Sequence, residues 1–380
     1  MPIPADRQTR RSLIAGALAS PFLALEALAQ AAPEGTPAER GAMAEAAQAF
    51  MGKYDVPGLG VAIARRGRLV YDESFGLADR EANAALRPTH RFRIASVTKP
   101  ITSAAICLLV QQGSLRFEDK VFGPGAALGT DYGAPPYGRY VADVTIADLL
   151  THTGGGWQND GNDPMFQRPT LDHADLIAWT LRTHPLQRPP GQHYAYSNFG
   201  YCVLGRVIEK IARKPYADFV REAVLRPCGV TDMEIAGNTL ADRKPGEVRY
   251  YGQGESPYDM NVARMDSHGG WIARPAALVA FATHVDGFPS TPSLLKPELI
   301  RAMTTAPATS PDYAKGWAIN KANNWWHNGS LPGTTTIMVR THSEFCWAAL
   351  VNTRATKGNI ALDLDNLVWT MVGKVAVWNA

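Results

Sequence analysis

Two side chains three positions apart constrain this chain more than any other feature. They are Ser96 and Lys99, in the segment Arg91-Phe-Arg-Ile-Ala-Ser-Val-Thr-Lys-Pro. An apolar run from Ile101 to Val110 follows and reads as a buried helix, so both residues fall in or just before its first turn. Residues three apart on a helix share a face, which brings a hydroxyl and an amine together at a helix N-terminus. Ser96 as a plain N-cap would pair with Glu or Gln at position 99, reaching back to the cap N–H. The residue there is lysine, whose cation opposes the positive end of the helix dipole. That field, together with burial, would lower the lysine pKa and make it a better base.

Two further segments carry polar groups at element ends. Tyr196-Ser197-Asn198 follows the turn Pro189-Pro-Gly and precedes an apolar helical stretch from Tyr201 to Ile211. A loop tyrosine beside an asparagine cap is common on its own. His327-Asn328-Gly329-Ser330 lies between strand-like runs, with Trp325-Trp326 before it and Thr334 to Arg340 after it. Gly329 would let another group approach that strand closely. Standing alone, the segment reads as a strand-end histidine before a turn.

In this order, S-x-x-K, then Y-x-N, then a basic-x-Gly triplet, the three segments resemble the serine β-lactamase and penicillin-recognising enzyme superfamily. The similarity is to its class C-type branch of serine hydrolases, which includes family VIII esterases, D-aminopeptidases and DD-carboxypeptidases. Gly76-Leu-Ala-Asp-Arg-Glu and Leu149-Leu-Thr-His-Thr-Gly-Gly-Gly fit the same pattern, and the resemblance spans roughly residues 40 to 375. It implies an acyl-enzyme on Ser96, with Lys99 and Tyr196 sharing proton traffic and Tyr196 serving the leaving group. It implies Asn198 as a substrate hydrogen-bond donor and the backbone N–H groups of Ser96 and Ser330 as an oxyanion hole. It implies His327 as a fourth catalytic residue, supplying charge or a hydrogen bond near Tyr196, with Asn328, Gly329 and Ser330 binding the substrate.

One departure bears on substrate. Many β-lactamases and penicillin-binding proteins carry lysine where this chain has His327. Lysine offers a permanent charge to a substrate carboxylate, whereas histidine, with an ordinary pKa near 6.5, is mostly neutral at pH 7. The expectation is therefore a serine hydrolase acting on a small ester, amide or peptide-like substrate. A β-lactamase or DD-peptidase is the second possibility. A penicillin-binding sensor is the third, and sensors normally add a membrane span and a signalling domain. Tyr132, Tyr137, Trp157, Trp271 and Trp326 are candidate cleft aromatics. His152 reads as a structural residue beneath the site.

The N-terminus reads as an export leader. Thr9-Arg10-Arg11 is a twin-arginine pattern, the moderately apolar stretch from Leu13 to Leu28 is broken by Gly16, Pro21 and Glu26, and Ala29-Gln30-Ala31 is an A-x-A cleavage site. The stretch is too short and broken for a stable membrane span. Residues 1–31 are thus set aside as a signal for periplasmic or secreted export. Their loss removes three arginines and two acids and takes the formal net charge from +3 to +2. A near-neutral surface without a basic stripe argues against a nucleic-acid partner. Cys107, Cys202, Cys228 and Cys346 lack C-x-x-C spacing and sit mostly in apolar runs, so free buried thiols are expected rather than a disulfide. The nine histidines show no H-x-x-x-H or H-x-H pair, and neither metal nor cofactor is expected. Nothing in the pattern sets an oligomeric state.

Periodicity gives a helix from Pro37 to Tyr54 and a hairpin from Gly58–Ile63 and Leu69–Phe75. Short helices are expected at 145–151, 173–184, 200–213 and 216–225, with late strands at 316–320, 324–327, 335–340 and 345–352. A closing helix lies within 360–377. Strands at both ends with helices between give an α+β fold. It would be one antiparallel sheet flanked by terminal helices, with an inserted mostly helical subdomain. The α/β lobe would comprise about 37–114 and 271–380, and the helical lobe about 115–270, with the cleft between them.

Overall fold

A computed structural model of the protein describes residues 34–379, so the twin-arginine leader expected over residues 1–31 lies outside the described residues. Helix α1 (Pro37–Tyr54) starts at a capping box, in which Thr36 and Glu39 satisfy each other's backbone N–H groups. It buries Met43, Ala47, Phe50 and Tyr54. Strands β1 (Gly58–Arg65) and β2 (Arg68–Asp79) form the expected hairpin. Its two-residue turn, Arg66-Gly67, has both φ angles positive, as the tight hairpin geometry requires.

Among the described residues, the central sheet has seven strands, all antiparallel. After β1 and β2 come β3 (Ala84–Ala85), β4 (Ala318–Ile319), β5 (Trp325–Leu331), β6 (Thr334–Arg340) and β7 (Phe345–Val351). The spatial order is β3-β2-β1-β7-β6-β5-β4. The first hairpin therefore joins the C-terminal strands through β1 and β7, with Val61 opposite Ala349.

Both faces of β1 are buried, and they differ in size. Leu59, Val61 and Ile63 face a core shared with α1 and the terminal helix Ile360–Val372. Gly60, Ala62 and Ala64 face the other way. A Cβ on Gly60 would meet Pro275 Cγ at 2.9 Å, so the small residues let the helix Pro275–Thr283 sit close against the sheet. That helix was not expected from sequence. All nine of its residues are buried, so it shows no polar face to reveal a helical period. The same holds for its neighbour Pro297–Thr304 only in part, since that helix is amphipathic but short.

The segments between sheet halves are mainly short helices, among them Ile146–Leu150, His173–Thr183 and Asn198–Ala212. A three-stranded patch made of Phe92–Arg93, Trp271–Ala273 and Glu234–Ile235 was also missed, because two of its strands have only two residues. The fold is thus α+β, with helices over both faces of an antiparallel sheet. Cys107, Cys202, Cys228 and Cys346 are buried free thiols. No helix among the described residues is long and apolar enough to cross a membrane.

Candidate active site

Ser96 sits in a single 3-10 turn, Ala95–Val97, that leads into α2 (Thr98–Gln111). Ala95, directly before it, has φ 49°, an uncommon left-handed conformation for a residue with a side chain. The segment is pinned from below by the sheet. Thr334 Oγ1 donates to the Arg93 carbonyl at 3.0 Å, and Thr336 Oγ1 donates to the Ile94 carbonyl at 2.9 Å. Gly329 of β5 faces the same carbonyl. A Cβ there would lie 2.3 Å from Ile94 O and 3.0 Å from Ala95 Cβ, so the close approach expected of this glycine is what the packing uses.

Lys99 is wholly buried on the first turn of α2, behind the half-buried Ser96. Its Nζ lies 2.9 Å from Ser96 Oγ, 2.9 Å from Asn198 Oδ1 and 3.0 Å from the His268 carbonyl. Burial holds its pKa well below the usual lysine range, opposed by the charge of Asp163. Three partners suit both protonation states. A neutral amine donates to Asn198 Oδ1 and the His268 carbonyl and turns its lone pair to the Ser96 hydroxyl. An ammonium donates to all three. Deprotonating Ser96 therefore needs no rearrangement of the lysine.

Asn198 opens the helix Asn198–Ala212, whose cap is Ser197 rather than the asparagine, with Ser197 Oγ accepting from Gly200 N at 3.0 Å. Tyr196, one residue earlier, hydrogen-bonds Ser96 and has its ring centroid 4.8 Å from Lys99 Nζ. Burial raises its phenol pKa above the usual value, and the Ser96 hydrogen bond opposes this, so the phenol stays protonated at neutral pH. His152 lies 4.2 Å, ring to ring, from Tyr196, and its Nδ1 accepts from the Ser197 N–H at 3.1 Å. It supports the Tyr196-Ser197-Asn198 segment, as a residue beneath the site should. Gly270 closes the other side of this floor. A Cβ on it would meet Val262 O at 2.8 Å, which keeps the backbone after His268 tight against its neighbour.

His327 lies on β5, buried, with both ring nitrogens engaged away from Tyr196. Nδ1 is 2.7 Å from the Asn328 carbonyl and Nε2 is 3.0 Å from the Tyr313 hydroxyl. The carbonyl can only accept, so Nδ1 carries the proton and Tyr313 donates to Nε2. Burial, with Lys99 adding to it, lowers the His327 pKa to about 3, so the ring is neutral in the working range. Its ring centroid is 6.3 Å from that of Tyr196. Asn328 and Ser330 are exposed on the opposite side of the strand from His327 and Gly329. Ser330 pairs with Thr335 one step from the two-residue turn that closes on Leu331 and Thr334. In the antiparallel alternation this is a non-hydrogen-bonded pair, which turns the Ser330 N–H out of the ladder. Along β5 the strand β4 reaches Trp325 and Trp326 and stops short of Ser330, which leaves that side of Ser330 open.

A cleft of about 460 Å³ opens beside Tyr196, with Tyr194, Tyr313, Trp326, His327 and Asn328 on its walls. Among the described residues, its lining holds Asp312 and no lysine or arginine. A larger cavity of about 630 Å³ near residues 114–127 contains none of the residues above. Of the five aromatics expected in the cleft, Trp326 lines it. Trp271 is buried behind the site against Tyr216, Trp157 packs on Phe122 and Phe199, Tyr132 packs on the helical core, and the Tyr137 hydroxyl donates to the Gly133 carbonyl. Residue type alone did not tell core from cleft. Sequence reasoning missed Tyr194 and Tyr313, and also Asp163 and His268, whose links to Lys99 cross 64 and 169 positions of chain. Among the described residues, no group of three or more His, Cys, Asp or Glu is arranged to hold a metal ion.

The Beta-lactamase family model matches residues 43–367. Penicillin-binding protein 4* of Bacillus subtilis (strain 168) is 27% identical over 316 residues, which cover 74% of this chain and 64% of that protein. Esterase EstB of Burkholderia gladioli is 36% identical over 186 residues, 45% of each chain. The chain thus spans less than two thirds of the length of these curated relatives. Among solved structures, D-amino acid amidase from Ochrobactrum anthropi SV3 superposes with a TM-score of 0.71 at 20% identity, covering 89% of this chain and 98% of that one. The octameric penicillin-binding protein homologue from Pyrococcus abyssi gives 0.72 at 21% identity, over 88% and 78%. At these identities the structural likeness is one of fold.

Proposed function

The chain belongs to the Beta-lactamase family, and on that premise we propose that it is a serine hydrolase that cleaves an uncharged ester or amide through an acyl-enzyme on Ser96. The observation that carries this reading is the buried Lys99 amine, 2.9 Å from Ser96 Oγ with its pKa held down. Lys99 Nζ takes the Ser96 proton as Oγ bonds to the substrate carbonyl carbon. The oxyanion receives the N–H groups of Ser96, at the start of its turn, and of Ser330. Each such donor typically contributes about 3–4 kcal/mol to lowering the barrier. The carbonyl–heteroatom bond then breaks. Tyr196 gives its proton to the departing oxygen or nitrogen and regains one from the Lys99 ammonium. A water adds to the acyl carbon as its proton passes through Tyr196 to the neutral Lys99 amine, and the Lys99 ammonium then returns that proton to Ser96 Oγ as it leaves. Asn198 meets the substrate's amide or ester side with the one Nδ2 hydrogen that Asp163 does not take, its Oδ1 being committed to Lys99.

The substrate preference rests on the cleft wall. A carboxylate-bearing substrate needs a cation there, and the lining offers neutral His327 and anionic Asp312 instead. The relatives include a named esterase, which fits a neutral acyl substrate. The expected result is a kcat/KM for a short p-nitrophenyl ester at least about tenfold above that for nitrocefin, with a fluorophosphonate adduct mapped to Ser96 by mass spectrometry. Faster nitrocefin turnover would restore the β-lactamase reading, and an adduct on another serine would remove the mechanism altogether.

Export belongs to the same reading, on Thr9-Arg10-Arg11 and Ala29-Gln30-Ala31. With Arg10→Lys and Arg11→Lys together, precursor should accumulate inside the cell. A normal level of processed protein in the periplasm would count against the twin-arginine route.

A further inference from the structure

Asp163 is 1% exposed and makes none of the contacts expected of a stability ion pair. Its Oδ1 accepts from the Met165 N–H at 3.0 Å, which caps the short helix Pro164–Gln167. Its Oδ2 accepts from Asn198 Nδ2 at 3.2 Å, and the Asn198 backbone N–H donates to the carboxylate as well. Asn198 in turn presents Oδ1 to Lys99 Nζ. A side-chain amide has one accepting end and one donating end. An anion fixed on the donating end leaves only the accepting end for the lysine.

We propose that Asp163 is a positioning residue of this site, which locks the sense of the Asn198 amide and sets the negative charge that Lys99 feels. The proposal rests on the reading that Ser96 is acylated with Lys99 as base. Lys99 is faced by Ser96 from its own turn, Asn198 and Tyr201 from the helix Asn198–Ala212, Tyr196 from the preceding loop, and His268 from the loop across the cleft. His152, His268 and His327 are kept neutral by burial, and the tyrosines are kept protonated by it. Among the described residues, Asp163 is the remaining anion acting on the lysine, and it holds the Lys99 proton to higher pH. Burial in turn raises the Asp163 carboxyl pKa to about 6, so the group is mostly ionised at neutral pH.

Asparagine at 163 has one accepting oxygen where three N–H groups need satisfying, so an NH2 end would face either the cap or Asn198. The test uses the full chain, with the rate of fluorophosphonate labelling of Ser96 measured across pH and with kcat and KM for a p-nitrophenyl ester. In wild type the rate rises with pH as Lys99 loses its proton. In Asp163→Asn that rise should move to lower pH by about one unit. The plateau should fall about tenfold or more in kcat, with KM within about twofold. Asn198→Ala combined with Asp163→Asn should be no slower than Asn198→Ala alone, because Asp163 acts through Asn198. Asp163→Ser keeps a capping oxygen for the Met165 N–H without the charge, and reads the same pH shift if the asparagine variant does not fold. An unmoved pH limb in a folded variant, or losses that multiply in the double variant, would overturn the proposal. Wild type that is not labelled at Ser96 at all would instead overturn the acyl-enzyme reading beneath it.

Discussion

With Lys99 replaced by methionine, kcat/KM for a short ester should fall about 1,000- to 10,000-fold, the scale of losing a positioned base that activates a nucleophile. Ser96→Ala should fall as far, and the double variant no further, because the two residues act as one unit. Lys99→Arg should not rescue. A guanidinium stays protonated and cannot take the Ser96 proton. The same burial also makes a stability prediction. A lysine whose folded pKa is lowered binds fewer protons in the native state than in the unfolded chain. Between the lowered value and the ordinary lysine range near 10.4, native stability therefore rises with pH. Wild type should gain on Lys99→Met by up to about 1.4 kcal/mol per pH unit within that window. Urea midpoints of the two proteins at pH 7 and pH 9 check this. A gap that does not widen would mean that the amine titrates alike in both states, and the base role would lose its physical ground.

The parts of this site that sequence exposes are those written locally. Ser96 and Lys99 are three positions apart on one turn, and the residues after them are apolar enough to bury the amine. Gly329 announces a close approach because a strand rarely gains from a glycine otherwise. The sheet was legible where strands were long, and β1 even shows its two faces in the alternation of large and small residues. What stayed hidden depends on contacts made across the chain. Asp163 looks like any loop aspartate until Asn198 arrives 35 positions later. The role given to His327 illustrates the same limit. Its neutrality was legible from the residue type, but the partner was not, because Tyr313 lies in a segment with no motif of its own. The helix Pro275–Thr283 was lost for the opposite reason, since a helix buried on every side has no pattern to read.

Gly329→Val should lower kcat about 100- to 1,000-fold while leaving the pH position of the Lys99 limb where it is. The new Cβ would sit 2.3 Å from the Ile94 carbonyl oxygen, 2.4 Å from Thr336 Oγ1 and 3.0 Å from Ala95 Cβ. Two of these three belong to the segment that holds Ser96, and none is the free end of a flexible side chain. Strand β5 must therefore move away from Ala95, and the Ser330 N–H moves with it. Loss of one oxyanion donor accounts for a rate effect of this size. Overpacking adds about 1–3 kcal/mol of lost stability. Lys99 is held by Asn198 and the His268 carbonyl, which Gly329 does not touch, so its proton affinity is left alone. Thr336→Val supplies the contrast. It removes the 2.9 Å hydrogen bond to the Ile94 carbonyl without adding an atom to the gap, and should cost only about 1 kcal/mol and a few-fold in rate. If Gly329→Val were as mild as Thr336→Val in kcat, the Ser330 N–H would not be an oxyanion donor. The approach of β5 to Ala95 would then serve packing alone.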